Sequence, residues 1–362
     1  MTELTVGVEE EFFLVGADGR LVQQAGGTLA GAGLDGVRIQ AELLRCQVES
    51  ASAVCRNGIE LLDDLRGLRK RLAGSAGVLG ARLVGTGTPV SAQFDQSAIS
   101  PIARYQRMAE YFGALVFTGT TCGCHVHVGI ADRGHAVRVG NHLRPWLPVF
   151  LALSANSPFN NGHISGYASS RYLLWARWHT AGPPPYLESV SDYEATVQAI
   201  VRTGAVLDRK MVYWDVRPSE HQPTLEMRVC DTAGTAEEAA LYGVLVRALA
   251  GQALDSTHPA RRVPQEVLRA GLWRAARDGL EGHCPHPESG ELSPVHEILS
   301  HLRDRVAREL RQTGELSFVD DMLAWLRVHG GGAARQRAAY ERRHRLDDVI
   351  DMLANQTLSR SG

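Results

Sequence analysis

A chain of 362 residues with 44% hydrophobic and 22% charged residues has the composition of an ordinary globular protein and enough apolar material for a sizeable core. Its 38 Lys+Arg against 40 Asp+Glu leave a net charge of −2 without a basic tail, so neither nucleic acid nor an anionic membrane is an expected partner. Apolar runs are too short to span a bilayer, no leader-like segment precedes the first strand, and the cysteines at 46, 55, 122, 124, 230 and 284 follow no framework spacing; a cytoplasmic protein with free thiols is expected.

The first predicted element is a strand over Gly7-Val8-Glu9-Glu10-Glu11-Phe12-Phe13-Leu14-Val15, closed by the turn Gly16-Ala17-Asp18-Gly19. Side chains two apart on a strand share a face, so Glu9 and Glu11 point one way and Glu10 the other. Neighbouring carboxylates repel, and an apolar strand offers them little water. A hard divalent cation between them resolves the conflict, and so does an edge strand that leaves the acids in solvent. Gly26 to Gly36 reads as a loop or a frayed helix start. Residues 37–50 read as one or two strands that set Glu42 and Glu49 among Leu43, Leu44 and Val48. Leu61, Leu62, Leu65, Leu68 and Leu72 predict an amphipathic helix over 57–81, and 82–89 a strand running into a loop.

A helix over 105–117 leads to a strand over 122–130. There Cys124-His125-Val126-His127-Val128-Gly129 places His125 and His127 on one face and turns Cys124, Val126 and Val128 to the core. Residues 141–154 read as a helix interrupted by Pro145 and Pro148. The segment 156–185, dense in Gly, Pro, Ser and Asn, is long and irregular, but five aromatics between Phe159 and Trp178 argue that it is ordered. A helix over 191–207 precedes strands over 213–217, where Asp215 and Arg217 share a face, and 224–230, where Glu226 and Arg228 do. The rest is predicted helical, over 235–253, 263–278, 294–313, 316–328 and 333–345. No repeat or linker divides the chain. Residues 1–362 therefore read as one α+β domain, mainly helical beyond about residue 235.

At least five carboxylates, two histidines and two arginines thus ride on strands, and they converge if those strands form one curved sheet. Such density is costly unless several cations offset it. Zinc would favour cysteine and fewer acids, whereas an acid-dominated set with histidine favours Mg²⁺ or Mn²⁺. Lys70 and Lys210 are the only lysines, and no GxxxxGK loop exists, so any phosphate must be met by arginine, metal or backbone N–H groups. His283-Cys284-Pro285-His286 carries ligand residue types, but four adjacent ligands in a Pro-rich turn cannot easily surround one ion; it reads as an exposed loop.

Seven ordered blocks carry a family resemblance: Gly7-Val8-Glu9-Glu10-Glu11, Gln47-Val48-Glu49, Gly123 to Gly129, Leu153-Ser154-Ala155-Asn156-Ser157-Pro158-Phe159, Gly166-Tyr167-Ala168-Ser169-Ser170-Arg171, Trp214-Asp215-Val216-Arg217-Pro218-Ser219 and Leu225-Glu226-Met227-Arg228-Val229. The chain resembles the carboxylate–amine ligases of the glutamate–cysteine ligase type 2 group, relatives of glutamine synthetase, from about residue 5 to Arg335-Gln336-Arg337. The resemblance implies a curved, mostly antiparallel sheet forming a funnel with helices packed outside. It implies Glu9, Glu11, Glu42, Glu49, His125 and Glu226 as the magnesium-facing set, and His127 beside the nucleotide phosphates. Arg171, Arg217 and Arg228 would contact phosphate or substrate carboxylate. Arg335 and Arg337 are further phosphate candidates, with a solvated helical face as the plainer reading.

The implied reaction uses ATP to phosphorylate a carboxylate, after which an amine attacks the acyl phosphate to give an amide, with glutamate and cysteine as the first pair to consider. Self-association is also a family trait. No enzyme nucleophile is required, which leaves Cys122, Cys124 and Cys230 as core thiols. The chain departs from the family pattern at Asn160-Asn161-Gly162-His163-Ile164-Ser165, with Ile164 where an acid is usual, and at His179, where proline is usual. Those departures, His163 and Ile164 above all, motivate the alternative of the same chemistry on another carboxylate and amine pair, in a specialised biosynthetic pathway. A two-metal hydrolase would use the same acids and histidines without ATP, but the clustered arginines count against it. A non-catalytic nucleotide-binding protein would not need the ligand set intact.

Overall fold

A computed structural model describes residues 4–32, 38–91, 98–117 and 120–359. Among the described residues eleven strands occur in chain order: β1 (Val6–Val15), β2 (Ile39–Ala41), β3 (Gln47–Ala51), β4 (Arg82–Val84), β5 (Gly123–Gly129), β6 (Phe159–Asn160), β7 (His163–Ile164), β8 (Val216–Pro218), β9 (Thr224–Asp231), β10 (His283–Pro285) and β11 (Leu292–Pro294). Seven of them form an open sheet in the order β2-β3-β1-β5-β9-β8, with β4 on the far end of β1, and every pairing is antiparallel. The expected arrangement of helices around a mostly antiparallel sheet is thus present.

Burial along β1 alternates over its first half. Val6, Val8 and Glu10 are buried, while Gly7, Glu9 and Glu11 stay partly open. The core face of β5 and β9 (Cys124, Val126, Val128, Leu225, Met227 and Val229) packs on the helices Ala236–Asp255 and Leu147–Ser154. Burying each such side chain contributes about 1.5–3 kcal/mol. Ala236–Asp255 is apolar nearly all round, as a central helix must be, and a capping box between Thr235 and Glu238 starts it.

Glu10 is the exception on the core face. Its carboxylate is fully buried and accepts from Arg69 of the helix Gly58–Val78, with Nε at 3.0 Å. The core therefore contains a closed ion pair that the leucine spacing of that helix does not reveal.

Several boundaries differ from expectation for physical reasons. Residues 33–37, shared by the Gly/Ala-rich segment and the strand reading that follows, lie outside the described residues. The 105–117 helix is Ala103–Phe112 and Ala114–Phe117, parted by Gly113 at φ 51°. The proline-interrupted helix starts earlier, at Arg133, where the Asp132 side chain accepts the His135 N–H at 2.7 Å; Arg144–Trp146 then tightens to a 3-10 turn. The 213–217 strand is β8, starting at Val216. The 294–313 helix breaks at Val306, and a last helix, Leu346–Leu358, follows Gly332–Glu341.

The irregular 156–185 segment holds the β6–β7 hairpin, turned by Asn161 and Gly162 at φ 50° and 84°, and the helix Ser170–Trp175. His283–Pro285, expected as an exposed loop, pairs with Leu292–Pro294 and buries Cys284. All six cysteines are free and buried. Among the described residues no helix is long and apolar enough to cross a membrane.

Cys124 faces the core beside its cross-strand partner Cys230, and burial pushes its thiol well above the usual range. Cys124→Ser is expected to retain turnover within about twofold while losing about 1 kcal/mol of stability in a urea titration. Complete loss of activity in a folded variant would give the thiol a chemical role.

Candidate active site

Cross-strand register assembles the acids. Glu11 lies opposite Glu49, which in turn lies opposite Gln40; Glu9 lies opposite His125; His127 lies opposite Glu226, and Glu226 opposite Arg217. Each of these positions falls on the sheet face away from the helix Ala236–Asp255, because alternation has sent Val8, Glu10, Cys124, Val126 and Met227 the other way. That face floors a cleft of about 560 Å³.

The bulge in β9 sets Arg171. Between Cys124 and Val126 the register slips, so that Arg228 and Val229 together oppose His125. Alternation keeps Arg228 on the cleft face with Glu226, which its guanidinium meets, and at the slip the Arg228 and Val229 carbonyls accept from a side chain. Arg171, at the start of Ser170–Trp175, donates to both carbonyls at 3.3 Å. Gly123 leaves room for it, since a Cβ there would lie 2.3 Å from Arg171 Nη2 and displace the guanidinium. Arg217 donates through Nε to Glu226 at 3.1 Å and through Nη1 to the Val212 carbonyl at 2.6 Å. Asp215, expected on the face of Arg217, instead accepts from the Tyr172 hydroxyl at 3.3 Å and does not line the cleft.

Among the described residues three groups have ligand atoms within 4.8 Å of one another: Glu9–His127–Glu226, Glu9–Glu49–His125 and Glu11–Glu42–Glu49. Glu9 belongs to the first two and Glu49 to the last two, so the groups adjoin through shared carboxylates. His125 Nδ1 and His127 Nε2 each stand 3.4 Å from a Glu9 oxygen, and Thr224 Oγ1 holds His127 Nδ1 at 2.9 Å. Backbone N–H groups fix the acids: Gly123 donates to Glu11 at 2.7 Å and Leu43 to Glu42 at 2.6 Å.

The electrostatics divide the set. Burial acts to raise Glu226, but Arg228 and Arg217 overcome it and hold the carboxyl well below its usual range. Glu9 is likewise held down, its burial outweighed by His125 and His127. Burial and the Glu11 charge push Glu42 up to about 8. Glu49 is pushed well above the usual range by burial and by Glu9, Glu42 and Glu11. The Glu11–Glu42–Glu49 group thus has too little positive charge around it. In addition, Arg171 Nε and Arg228 Nε are buried without a hydrogen bond. Oxygen-rich groups with at most one imidazole each, one of them short of positive charge, fit hard divalent cations, and the unsatisfied donors suit an anion.

A profile of the glutamate–cysteine ligase family 2 matches residues 5–352. A protein of Rhodococcus jostii provisionally named glutamate–cysteine ligase 2-1 is 47% identical over 360 residues, covering 99% of this chain and 97% of the relative. The chain belongs to glutamate–cysteine ligase family 2. A family member from Saccharopolyspora erythraea, provisionally under the same name, is 43% identical over 359 residues, covering 99% of this chain and 96% of the relative. This family 2 chain is accordingly a ligase. Two solved structures share its fold. The glutamate–cysteine ligase of Francisella tularensis, determined with AMP, superposes with TM-score 0.74 at 12% identity, covering 99% of this chain and 90% of that one. A bifunctional glutathione synthetase from Pasteurella multocida gives TM-score 0.69 at 14% identity, covering 98% and 51%.

Of the residues singled out from the sequence of this family 2 chain, Glu9, Glu11, Glu42, Glu49, His125, His127, Arg171, Arg217, Glu226 and Arg228 all line the one cleft. Arg335 and Arg337 do not. Arg335 is buried in an ion pair with Glu238 at 2.7 Å, donates to the Gly330 carbonyl at 2.7 Å and lies over the Trp325 ring. Its donors are consumed, which turns a phosphate candidate into a tie between helices. The β6–β7 hairpin with His163 and Ile164 also stays outside the cleft lining, and Ile164 is exposed. In its place the cleft is walled by Tyr105, Trp175, Trp178 and Tyr213 and bordered by Lys210 and Ser219 to Gln222. The aromatic density before Trp178 was the available signal for two of these.

Proposed function

We propose that this protein is an ATP- and Mg²⁺-dependent ligase that joins a carboxylate to an amine through an acyl phosphate. The reading is carried by three adjoining acid groups that share Glu9 and Glu49 and are flanked by Arg217 and Arg228. Divalent cations held there would screen the charge that phosphoryl transfer spreads over oxygen. Glu9, Glu11, Glu42, Glu49, Glu226 and His125 would hold them, Mg²⁺ or Mn²⁺, with Glu11 and Glu42 already held by backbone N–H groups. His127, oriented by Thr224, would face the nucleotide phosphates.

The chemistry balances without an enzyme nucleophile. A carboxylate oxygen attacks the terminal phosphorus of ATP and the bond to ADP breaks. The amine nitrogen then attacks the acyl carbon, phosphate leaves, and the nitrogen loses its proton as the amide forms. Arg228, whose Nε is unsatisfied, and Arg171 line the cleft and would meet an anion entering the acid cluster. Buried reduced thiols accord with a cytoplasmic setting.

ADP release from ATP, Mg²⁺ and a matrix of carboxylates and amines tests the reading, with glutamate and cysteine as the first pair. Release that requires one carboxylate and one amine supports it; hydrolysis of an amide with no ATP requirement would overturn it in favour of a hydrolase. A second expectation concerns the metal itself. Millimolar Mg²⁺ or Mn²⁺ should raise the melting temperature of the metal-stripped protein, by about 2.7 kcal/mol of stability where the ion stands a hundredfold above its Kd. Indifference to both ions would remove the cation sites.

A further inference from the structure

The cleft has a second wall of different chemistry. Trp175, Trp178 and Tyr213 form a corner, with ring centroids 4.9 Å apart for Trp175 and Tyr213, 5.6 Å for Trp178 and Tyr213 and 6.4 Å between the indoles. Tyr105 and Met108 extend it along the same cleft. The corner is held from behind: Phe112 packs edge-on against Trp178 at 5.3 Å, and Val206 and Met211 lie in the same buried cluster. Rings fixed this way lose little entropy when a ligand covers them.

This wall stands against the carboxylates themselves. The Tyr105 hydroxyl hydrogen-bonds Glu42, and Tyr213 lies among Arg228, Arg104, Glu42 and Arg217, of which Arg104 is paired with Asp208 and the other two arginines with Glu226. When the terminal phosphate of a nucleotide meets the acid cluster, its base lies a ribose and two further phosphates away. A substrate with its reacting group at the cluster, in contrast, has its body within a bond or two. Charge narrows the choice. Aromatic faces and carboxylates attract an ammonium group and discourage an anion, whereas a carboxylate substrate would seek the arginines.

We propose that the Trp175–Trp178–Tyr213 corner, with Tyr105, seats the amine substrate and selects an amine with a bulky apolar or aromatic body. The inference rests on the ligase reading above and names the class of one of its substrates. Trp178 is 5% exposed and backs the corner, so the half-buried Trp175, Tyr213 and Tyr105 are the rings that meet a ligand, and the small side chain of cysteine would be a poor occupant of that wall.

Calorimetry on the full chain tests this, with Mg²⁺ and a non-hydrolysable ATP analogue present and cysteine, leucine, phenylalanine and phenethylamine as titrants. In the wild type, phenylalanine or phenethylamine should bind at least about tenfold more tightly than cysteine. Trp175→Ala should abolish that gradient, and Trp175→Phe, which keeps an apolar ring, should retain it. The ATP analogue should bind all three proteins within about twofold. Equal affinities across the series, or no binding by any amine, would overturn the assignment while leaving nucleotide binding intact. So would a Trp175→Ala protein that loses the nucleotide and keeps the amine gradient, which would make the wall a base site. A flat nucleotide isotherm in the wild type would overturn the ligase reading, and this inference with it.

Discussion

Glu11→Gln turns over ATP at least about 100-fold more slowly than the wild type and unfolds at nearly the same urea concentration. The fold is spared because the glutamine Oε1 still accepts the Gly123 N–H that Glu11 now accepts at 2.7 Å. Only the charge is lost, and with it one ligand of the Glu11–Glu42–Glu49 group. Glu226→Gln provides the contrast. It also removes a ligand, but it takes the counter-charge from Arg217 and Arg228, which are both buried or nearly so. That variant should lose activity to a similar extent and stability as well. Paired rate and denaturation measurements separate the two cases. Substantial activity in both variants would sink the metal-cluster assignment.

The cleft floor was legible because strand alternation is rigid. Once Glu9 and Glu11 share a face, and His125 and His127 share another, a single antiparallel pairing of β1 with β5 sets Glu9 opposite His125. The arginines were legible only in part. Alternation alone places Arg228 beside Glu226, but the capture of Arg171 by the bulge carbonyls depends on register, which a single strand does not encode. Arg335 misled for a related reason. Its partner Glu238 is 97 residues away, and nothing local distinguishes an arginine reserved for an ion pair from one free to meet phosphate. The aromatic wall was hidden for want of topology: Tyr105, Trp175 and Tyr213 come from three separate segments that only the fold brings to one cleft.

The same limit concealed the second large effect, which lies in the core. Arg69 is 1% exposed and Glu10 0%, and the guanidinium does more than pair with that carboxylate. It donates to the carbonyls of Ala233 at 3.1 Å, Gly234 at 3.3 Å and Thr357 at 3.2 Å, and lies over the Phe12 ring at 5.2 Å. One side chain thus ties the helix Gly58–Val78 to β1, to the turn before Ala236–Asp255 and to the end of the last helix. Arg69→Met fills much of the same volume but leaves Glu10 as a buried unpaired charge and the three carbonyls without this donor. The expected loss is about 3–5 kcal/mol, read as a drop in the urea midpoint. The pair is costly to break and inexpensive to replace, because two charges must be desolvated to make it. Glu10→Leu combined with Arg69→Met should therefore recover a large part of the loss, although the orphaned carbonyls keep it below the wild type. A single variant that costs under about 1 kcal/mol would mean that water reaches Glu10 in solution, and the buried-pair account of this sheet would fail.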